Sequence, residues 1–481
     1  MPANLALFLW IIGLIGLFWL DRDPTAKASK ALWIPVAWLT LGASRMPSQW
    51  LAAFGFGGDS KVSPEQLLEG SPTDRLVISG LVVLSLIVLI ARRKKVFSVL
   101  RSNAPIVLFF LYCAISILWS DFPEVAFKRW TKDVGDLSMI LIVLTDQDPY
   151  AAVKRFLART GFVLISASVL VIKYFPAIGR GYHPWSWDVY YVGVSGGGKN
   201  ELGLLTLIFA IASVWRLVRI YRGDEGESRA RRLIAHGAVL GMALWLFSMA
   251  NSATSWACFS MATVLIVVTS FRRLERKPLV AQLLVLAMLA VSFSALFLDT
   301  GGSLVKSMDR DPTLTGRTEV WKDVLAMTGN PMVGTGFESF WLGARLESMW
   351  RRYWWHPNEA HNGYLEVYLT LGWIGEFLLA VVLVTGYRNA VKAYRFDPQT
   401  GRLKLAYFAV AVAYNFTESA IRIMHPMWIF LLFASVAAPG VGTTETEPPK
   451  SDEEIKVIEP EVQMEPVFRS ARDRRAFETL R

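Results

Sequence analysis

Apolar runs close to the length of a spanning helix recur from one end of the chain to the other. They cover residues 3 to 20, 31 to 54, 77 to 91, 105 to 120, 134 to 146, 160 to 175, 201 to 217, 232 to 250, 253 to 270, 278 to 299, 363 to 387, 404 to 421 and 425 to 438. A spanning helix needs about 20 mostly apolar residues, so the pattern predicts an all-α polytopic membrane protein of about 12–13 transmembrane helices. The polar breaks are patterned too. Basic clusters stand at Arg92 to Lys95, Arg216 to Arg232, Arg272 to Lys277 and Arg388 to Lys404. Even numbers of predicted spans separate them, and the positive-inside rule assigns all four to the cytoplasmic face. Loops 55 to 76, 121 to 133, 176 to 200 and 300 to 362 then face outward. Residues 1–441 form one transmembrane domain that contains the large extracytoplasmic loop 300–362. Residues 442–481 turn Thr/Glu/Pro-rich, then mixed in charge near Arg469 to Arg475, and read as a disordered cytoplasmic tail.

Composition narrows the class. The chain has 481 residues, 53% hydrophobic and 19% charged, and a mean hydropathy of +0.37. The formal charge of +10 sits in short loops rather than on a basic face with interleaved aromatics, which argues against nucleic acid as a partner. Cys113 and Cys258 both lie in apolar runs, so no disulfide framework or cysteine metal site is expected. The first apolar run lacks a basic leader and a small-residue cleavage site before Asp21, and is expected to remain in the membrane.

The candidate chemistry concentrates in 300–362. Gly316 to Trp321 opens an amphipathic run that Gly329 and Pro331 end, predicting a short surface helix. Phe340, Trp341, Trp350, Tyr353, Trp354 and Trp355 follow. Such rings suit sugar faces or an interfacial belt. Arg345, Arg351 and Arg352 interleave with them on a face where orientation signals are not expected, pointing to an anionic ligand or acidic headgroups. In Glu359-Ala-His361-Asn362-Gly-Tyr-Leu-Glu366, His361 falls where a long apolar helix begins. Helix N-terminal amides favour a neutral imidazole able to accept a proton, while Glu359 favours imidazolium or fixes one tautomer. A zinc set of His356, His361, Glu359 and Glu366 has unfamiliar spacing around Pro357, and no metal is expected. Asp309-Arg310-Asp311 and Asp21-Arg22-Asp23 both match a carboxylate pair used on nucleotide sugars, but fall on opposite predicted faces. The Gly196 to Gly198 run feeding Lys199 at a helix start suits a phosphate or a simple cap. Ser252, Thr254 and Ser255 suit helix–helix hydrogen bonds.

Together these residues resemble the O-antigen ligase and polysaccharide polymerase superfamily. The pieces are Trp119-Ser120 with Pro123 and Arg129, Lys199-Asn200 with Gly203, Ser252 with Thr254-Ser255, Thr315-Gly316-Arg317 with Trp321, Pro331 with Gly334 and Gly336, and His361-Asn362 with Gly372 and Gly375. Trp119 to Pro123 and Glu359 to Glu366 look most like ExoQ-type exopolysaccharide polymerases.

The resemblance implies a GT-C-like fold in the bacterial inner membrane, with a periplasmic active site. It also implies a metal-independent transfer without cofactor, from a polyprenyl-diphosphate-linked oligosaccharide to an acceptor glycan. His361 matches the family's essential histidine and Arg317 its loop arginine. Lys199, Arg129, Arg345, Glu359 and Asn362 are the expected substrate-binding residues. Family membership further implies membrane lipid, a chain-length regulator and a flippase as partners. A ligase acting on lipid A core or protein, and a lipid-linked sugar transporter, are the alternative readings.

Overall fold

The computed structural model describes residues 1–24, 26–56, 70–183, 187–223, 228–275, 277–297 and 317–437. The expected tail at 442–481, the Asp309-Arg310-Asp311 motif and the first part of the 300–362 loop, with Thr315 and Gly316, lie outside these residues.

Helices account for nearly all the regular structure. They run α1 Ala3–Leu20, α2 Trp33–Gly42, α3 Pro47–Ala53, α4 Pro72–Ala91, α5 Arg93–Ser102, α6 Ala104–Ile115, α7 Pro123–Leu144, α8 Pro149–Tyr174, α9 Lys199–Tyr221 and α10 Arg229–Ala250. They continue as α11 Ala253–Val268, α12 Pro278–Phe297, α13 Arg317–Ala326, α14 Gly343–Arg352, α15 Gly363–Phe396, α16 Pro398–Tyr414 and α17 Pro426–Ser435. Proline opens many of them, at Pro72, Pro123, Pro149, Pro398 and Pro426. Its missing N–H costs nothing there and its fixed φ suits the first turn. Asp148 and Asp397 cap α8 and α16 with side-chain oxygens. A short hairpin, Arg180–Tyr182 with Val189–Tyr191, is the one sheet among the described residues.

Six helices among the described residues, α1, α4, α8, α9, α10 and α15, are long and apolar enough to cross a membrane, and α5 with α6 makes a further bent pair. This is an all-α polytopic membrane protein. Two of the expected spans take a different form. The run 31 to 54 breaks into α2 and α3, because Ser44-Arg45-Met46-Pro47 interrupts it with polar side chains and a helix-starting proline. The run 134 to 146 is the second half of α7, whose first half carries Lys128, Arg129, Lys132 and Asp133.

The core is centred on α9, 83% of whose apolar window is buried, and on α8 at 72%. Two carboxylates fasten α7 to its neighbours: Trp38 Nε1 donates to Asp136 at 2.6 Å, Trp428 Nε1 to Asp133 at 2.8 Å, and the Met424 amide to Asp136 at 2.7 Å. These bonds fix the irregular turn 415–425 between α16 and α17.

The long helix α15 is broken at Gly372, with φ 65° and ψ −166°. Backbone inside a membrane can leave the helical path only where other protein groups satisfy it. Here the loop segment 331–336 does so. Trp373 and Ile374 donate to the Pro331 and Met332 carbonyls, and Thr335 and Gly336 donate to Leu369 and Thr370. A Cβ on Gly372 would stand 2.3 Å from the Met332 carbonyl carbon. Gly372→Ala is therefore expected to cost about 1–3 kcal/mol from backbone strain alone, and more from the collision. A lowered melting point and reduced membrane abundance would report this, with Gly80→Ala, which meets nothing within 4 Å, unaffected.

Candidate functional site

The segment 317–362 folds around a small core of its own. Val320 and Val324 of α13 pack with Phe340, Met349, Tyr353, Ala360 and Leu369. Trp321 Nε1 donates to the Ala360 carbonyl at 2.7 Å, and Tyr353 Oη to Asp323 at 2.7 Å. Phe340 and Tyr353 are thus neither belt nor sugar platform, since both are buried here. Trp354 and Trp355 remain exposed. This packing folds the segment back on itself and brings its two ends, Arg317 and His361, to one place.

That place is Glu418, in the turn 415–425. Arg317 Nη2 lies 3.2 Å from Glu418 Oε1, and Arg317 Nη1 donates to the Thr417 carbonyl. Asn200, next to Lys199 at the start of α9, donates to the same Oε1 at 3.1 Å. His361 Nδ1 lies 3.5 Å from Glu418 Oε2 and 3.0 Å from Glu359 Oε1. Both oxygens lie off the line of a well-aligned hydrogen bond, so the attraction is that of ion pairs. Glu359 Oε2 in turn meets Arg422 Nη1 at 2.7 Å. His361 takes φ 53°, a left-handed conformation that a non-glycine residue adopts at a cost and that here turns the ring back towards these carboxylates. The Trp355 ring stacks against it, with centroids 6.0 Å apart and planes 28° from parallel.

Helix capping supports the histidine from its other side. The Asn362 side chain accepts from the Tyr364 and Leu365 amides at 3.1 and 3.0 Å, and its own amide donates to Ser419 at 3.1 Å. Asn362 is therefore a cap and a tether to the 415–425 turn. Gly363 allows that approach: its amide donates to the Asn415 carbonyl at 2.9 Å, and a Cβ would meet Asn415 Oδ1 at 1.9 Å.

The electrostatics resolve the opposed pulls on His361. Burial lowers the imidazole pKa, but Glu359 and Glu418 outweigh it and raise it to about 9. Burial likewise raises Glu359, and Arg422 with His361 outweighs that, lowering it to about 2. The carboxylates overcome the helix-start amides, and the resting ring is imidazolium at neutral pH.

Beside this cluster opens a cavity of about 1390 Å³, lined among others by Arg45, Arg129, Lys132, Glu201, Glu359 and Arg422. Arg129 faces it while donating to the Glu338 carbonyl. Arg45 donates to the Ile178 carbonyl at 2.6 Å. Lys132 makes no hydrogen bond or ion pair among the described residues.

The remaining expected residues separate. Lys199 is exposed at its helix start, and its neighbour Asn200 makes the contact with Glu418. Arg345 Nη2 pairs with Asp121 at 2.6 Å and its Nε donates to the Phe340 carbonyl at 3.1 Å, tying its segment to the start of α7. Ser255 donates to Ser252 at 3.1 Å, and both pack on Gly203 of α9. Asp21 meets His236 and Arg216, and Asp23 meets Arg232 and Lys154, in a separate ionic network. His356 stacks on Trp350, while Glu366 accepts from Trp341 and the Ala360 amide. The side chains able to converge on a cation are instead Glu359, His361 and Glu418, whose donor atoms lie within 4.8 Å of one another. Arg317, Asn200 and Arg422 already engage both carboxylates.

Comparison with known proteins bears on this arrangement. An O-antigen ligase family model matches residues 237–380, which include Arg317, Glu359, His361 and Asn362. The exopolysaccharide production protein ExoQ of Rhizobium meliloti (strain 1021) is 27% identical over 298 residues, covering 59% of this chain and 64% of that relative. Both matches point to the O-antigen ligase and polysaccharide polymerase superfamily, which this chain resembles. Its match spans less than two thirds of the relative's length. Asn200, Glu418 and Arg422 fall outside residues 237–380, yet each makes a direct contact with the Arg317–His361 cluster.

Sequence reasoning missed Glu418, Arg422, Arg45 and Lys132. A signal was present for the first two. Ionisable residues inside or at the end of an otherwise apolar run are expensive and mark function or buried pairing, and Glu418 lies inside the run 404 to 421 with Arg422 just after it.

Proposed function

We propose that this protein is a glycosyltransferase of the outer face of the bacterial inner membrane, joining polyprenyl-diphosphate-linked oligosaccharide units into exopolysaccharide. The single observation that carries the reading is the convergence of Arg317, Asn200 and His361 on Glu418, beside a cavity of about 1390 Å³ whose mixed-charge lining includes Arg45, Arg129, Lys132 and Arg422. The donor is delivered to that face by a flippase and enters from the outer leaflet. Its diphosphate engages Arg317 of the cluster and Arg129 and Lys132 of the neighbouring cavity lining, with exposed Lys199 as a further contact. Fixed cations there act mostly on the transition state, because charge builds on the diphosphate as the C1–O bond breaks. The acceptor hydroxyl attacks C1, and its proton passes to His361, oriented through Nδ1 by Glu359 and Glu418. No metal takes part.

A base held at about 9 is strong but mostly protonated at rest. Turnover is expected to rise about tenfold per pH unit from neutrality and to level off near pH 9. A rate that falls over that range would make imidazolium the working form instead. The same ion pairs stabilise the folded loop. Because the folded pKa is raised, that contribution is complete below the ordinary value of 6.5 and lost as pH rises through about 9.

The family description favours a second reading, a ligase that moves finished glycan to another acceptor. Product analysis of a null strain separates the two. Loss of a polymerase leaves single repeat units; loss of a ligase leaves long unattached chains.

A further inference from the structure

A second recess lies at the other end of α15. From the break at Gly372, the helix runs roughly 24–35 Å to Arg388 and Arg395 at 1.5 Å per residue, about the thickness of a hydrocarbon core. The recess there holds about 700 Å³ between α15, the α5–α6 junction and Gln282 of α12. Arg388, Lys392 and Arg395 line it, and no acidic side chain does. None of the three makes an ion pair among the described residues, and all three are exposed.

Two features set its depth and chemistry. Helix α5 carries Arg93, Lys94, Lys95 and Arg101 and meets α6 at a bend of 91°. A basic amphipathic helix at right angles to an apolar one lies in the plane of the interface, so the recess beside the bend opens at headgroup level. Its floor is built. Asn389 Nδ2 donates to Asn103 Oδ1 at 3.2 Å and to the Ser435 carbonyl at 2.9 Å, and the Ala437 amide donates to Asn103 Oδ1 at 2.9 Å. Those polar groups satisfy one another and leave the cations as the free ligands. Ile106, Val391 and Phe396 supply apolar wall.

We propose that this recess is a binding site for an anionic phospholipid, with its phosphate among Arg388, Lys392 and Arg395 and its acyl chain along Ile106, Val391 and Phe396. The site lies a membrane's thickness from His361 and does not rest on the catalytic reading. Cations uncompensated by carboxylates, apolar wall and interfacial depth together suit a charged headgroup with a tail better than a free anion.

The test is phosphatidylglycerol binding to the full-length protein in neutral detergent, read by native mass spectrometry and by titration against phosphatidylcholine and inorganic phosphate. Wild type is expected to retain phosphatidylglycerol and not phosphatidylcholine. The triple variant R388Q/K392Q/R395Q is expected to bind about a hundredfold more weakly, at about tenfold per 1.4 kcal/mol and about one such step or less per cation. R272Q/R273Q, which changes an exposed basic pair elsewhere, should bind as wild type. Equal binding by the triple variant, equal loss in R272Q/R273Q, or displacement by millimolar inorganic phosphate would each overturn the assignment.

Discussion

His361→Ala is expected to accumulate in the membrane at the wild-type level and to lose glycosyl transfer by about a hundred- to ten-thousandfold, the usual contribution of a positioned base. The fold should tolerate the change. The His361 ring is partly exposed, with a relative side-chain accessibility of 23%, and the helix that follows is capped by Asn362 rather than by the histidine. Removing the ring also takes the partner from Glu359 and Glu418, but Arg422 and Arg317 continue to neutralise them. Membrane abundance and high-molecular-weight glycan, measured on the same cells, check this. Normal polymer from an abundant His361→Ala protein would remove the histidine from the mechanism.

Glu418→Gln should lower the plateau rate by about a hundredfold, the scale of loss when reacting groups are misplaced by about 1 Å. It should also move the pH profile. Glu418 raises the His361 pKa, so without its charge the ring deprotonates at lower pH and the plateau begins earlier. A residue that merely held the 415–425 turn would lower the rate without shifting the profile. An earlier plateau would thus mark Glu418 as a positioning residue, and an unshifted profile as a structural one.

The sequence carried the class of fold because burial in lipid imposes long apolar helices with satisfied backbone, and that periodicity is local. The helix start beside His361 was equally legible, since capping chemistry acts over a few residues, whereas the helices that begin at Pro123 and Pro149 start well before the expected runs at 134 and 160. The convergence of Arg317 and His361 was legible only as a requirement. Its cause is the packing of Val320 and Val324 against Phe340 and Ala360, which lie well along the chain from them. Glu418 and Arg422 were hidden because they sit in a run that reads as two spans, whereas Asp136, through the Met424 amide, holds that stretch as an ordered turn. Arg345 stands apart from the Arg317–His361 cluster. An outward arginine suits an anionic ligand, but here Asp121 and two carbonyls take its donors.

The most direct measurement is glycosyl transfer by the purified protein in liposomes, supplied with a polyprenyl-diphosphate-linked repeat unit in the presence of a metal chelator. The account predicts lengthened lipid-linked glycan and one free polyprenyl diphosphate for each bond made, both absent from His361→Ala. Movement of the intact donor across the bilayer with no new glycosidic bond, or transfer that stops when the chelator is added, would contradict it.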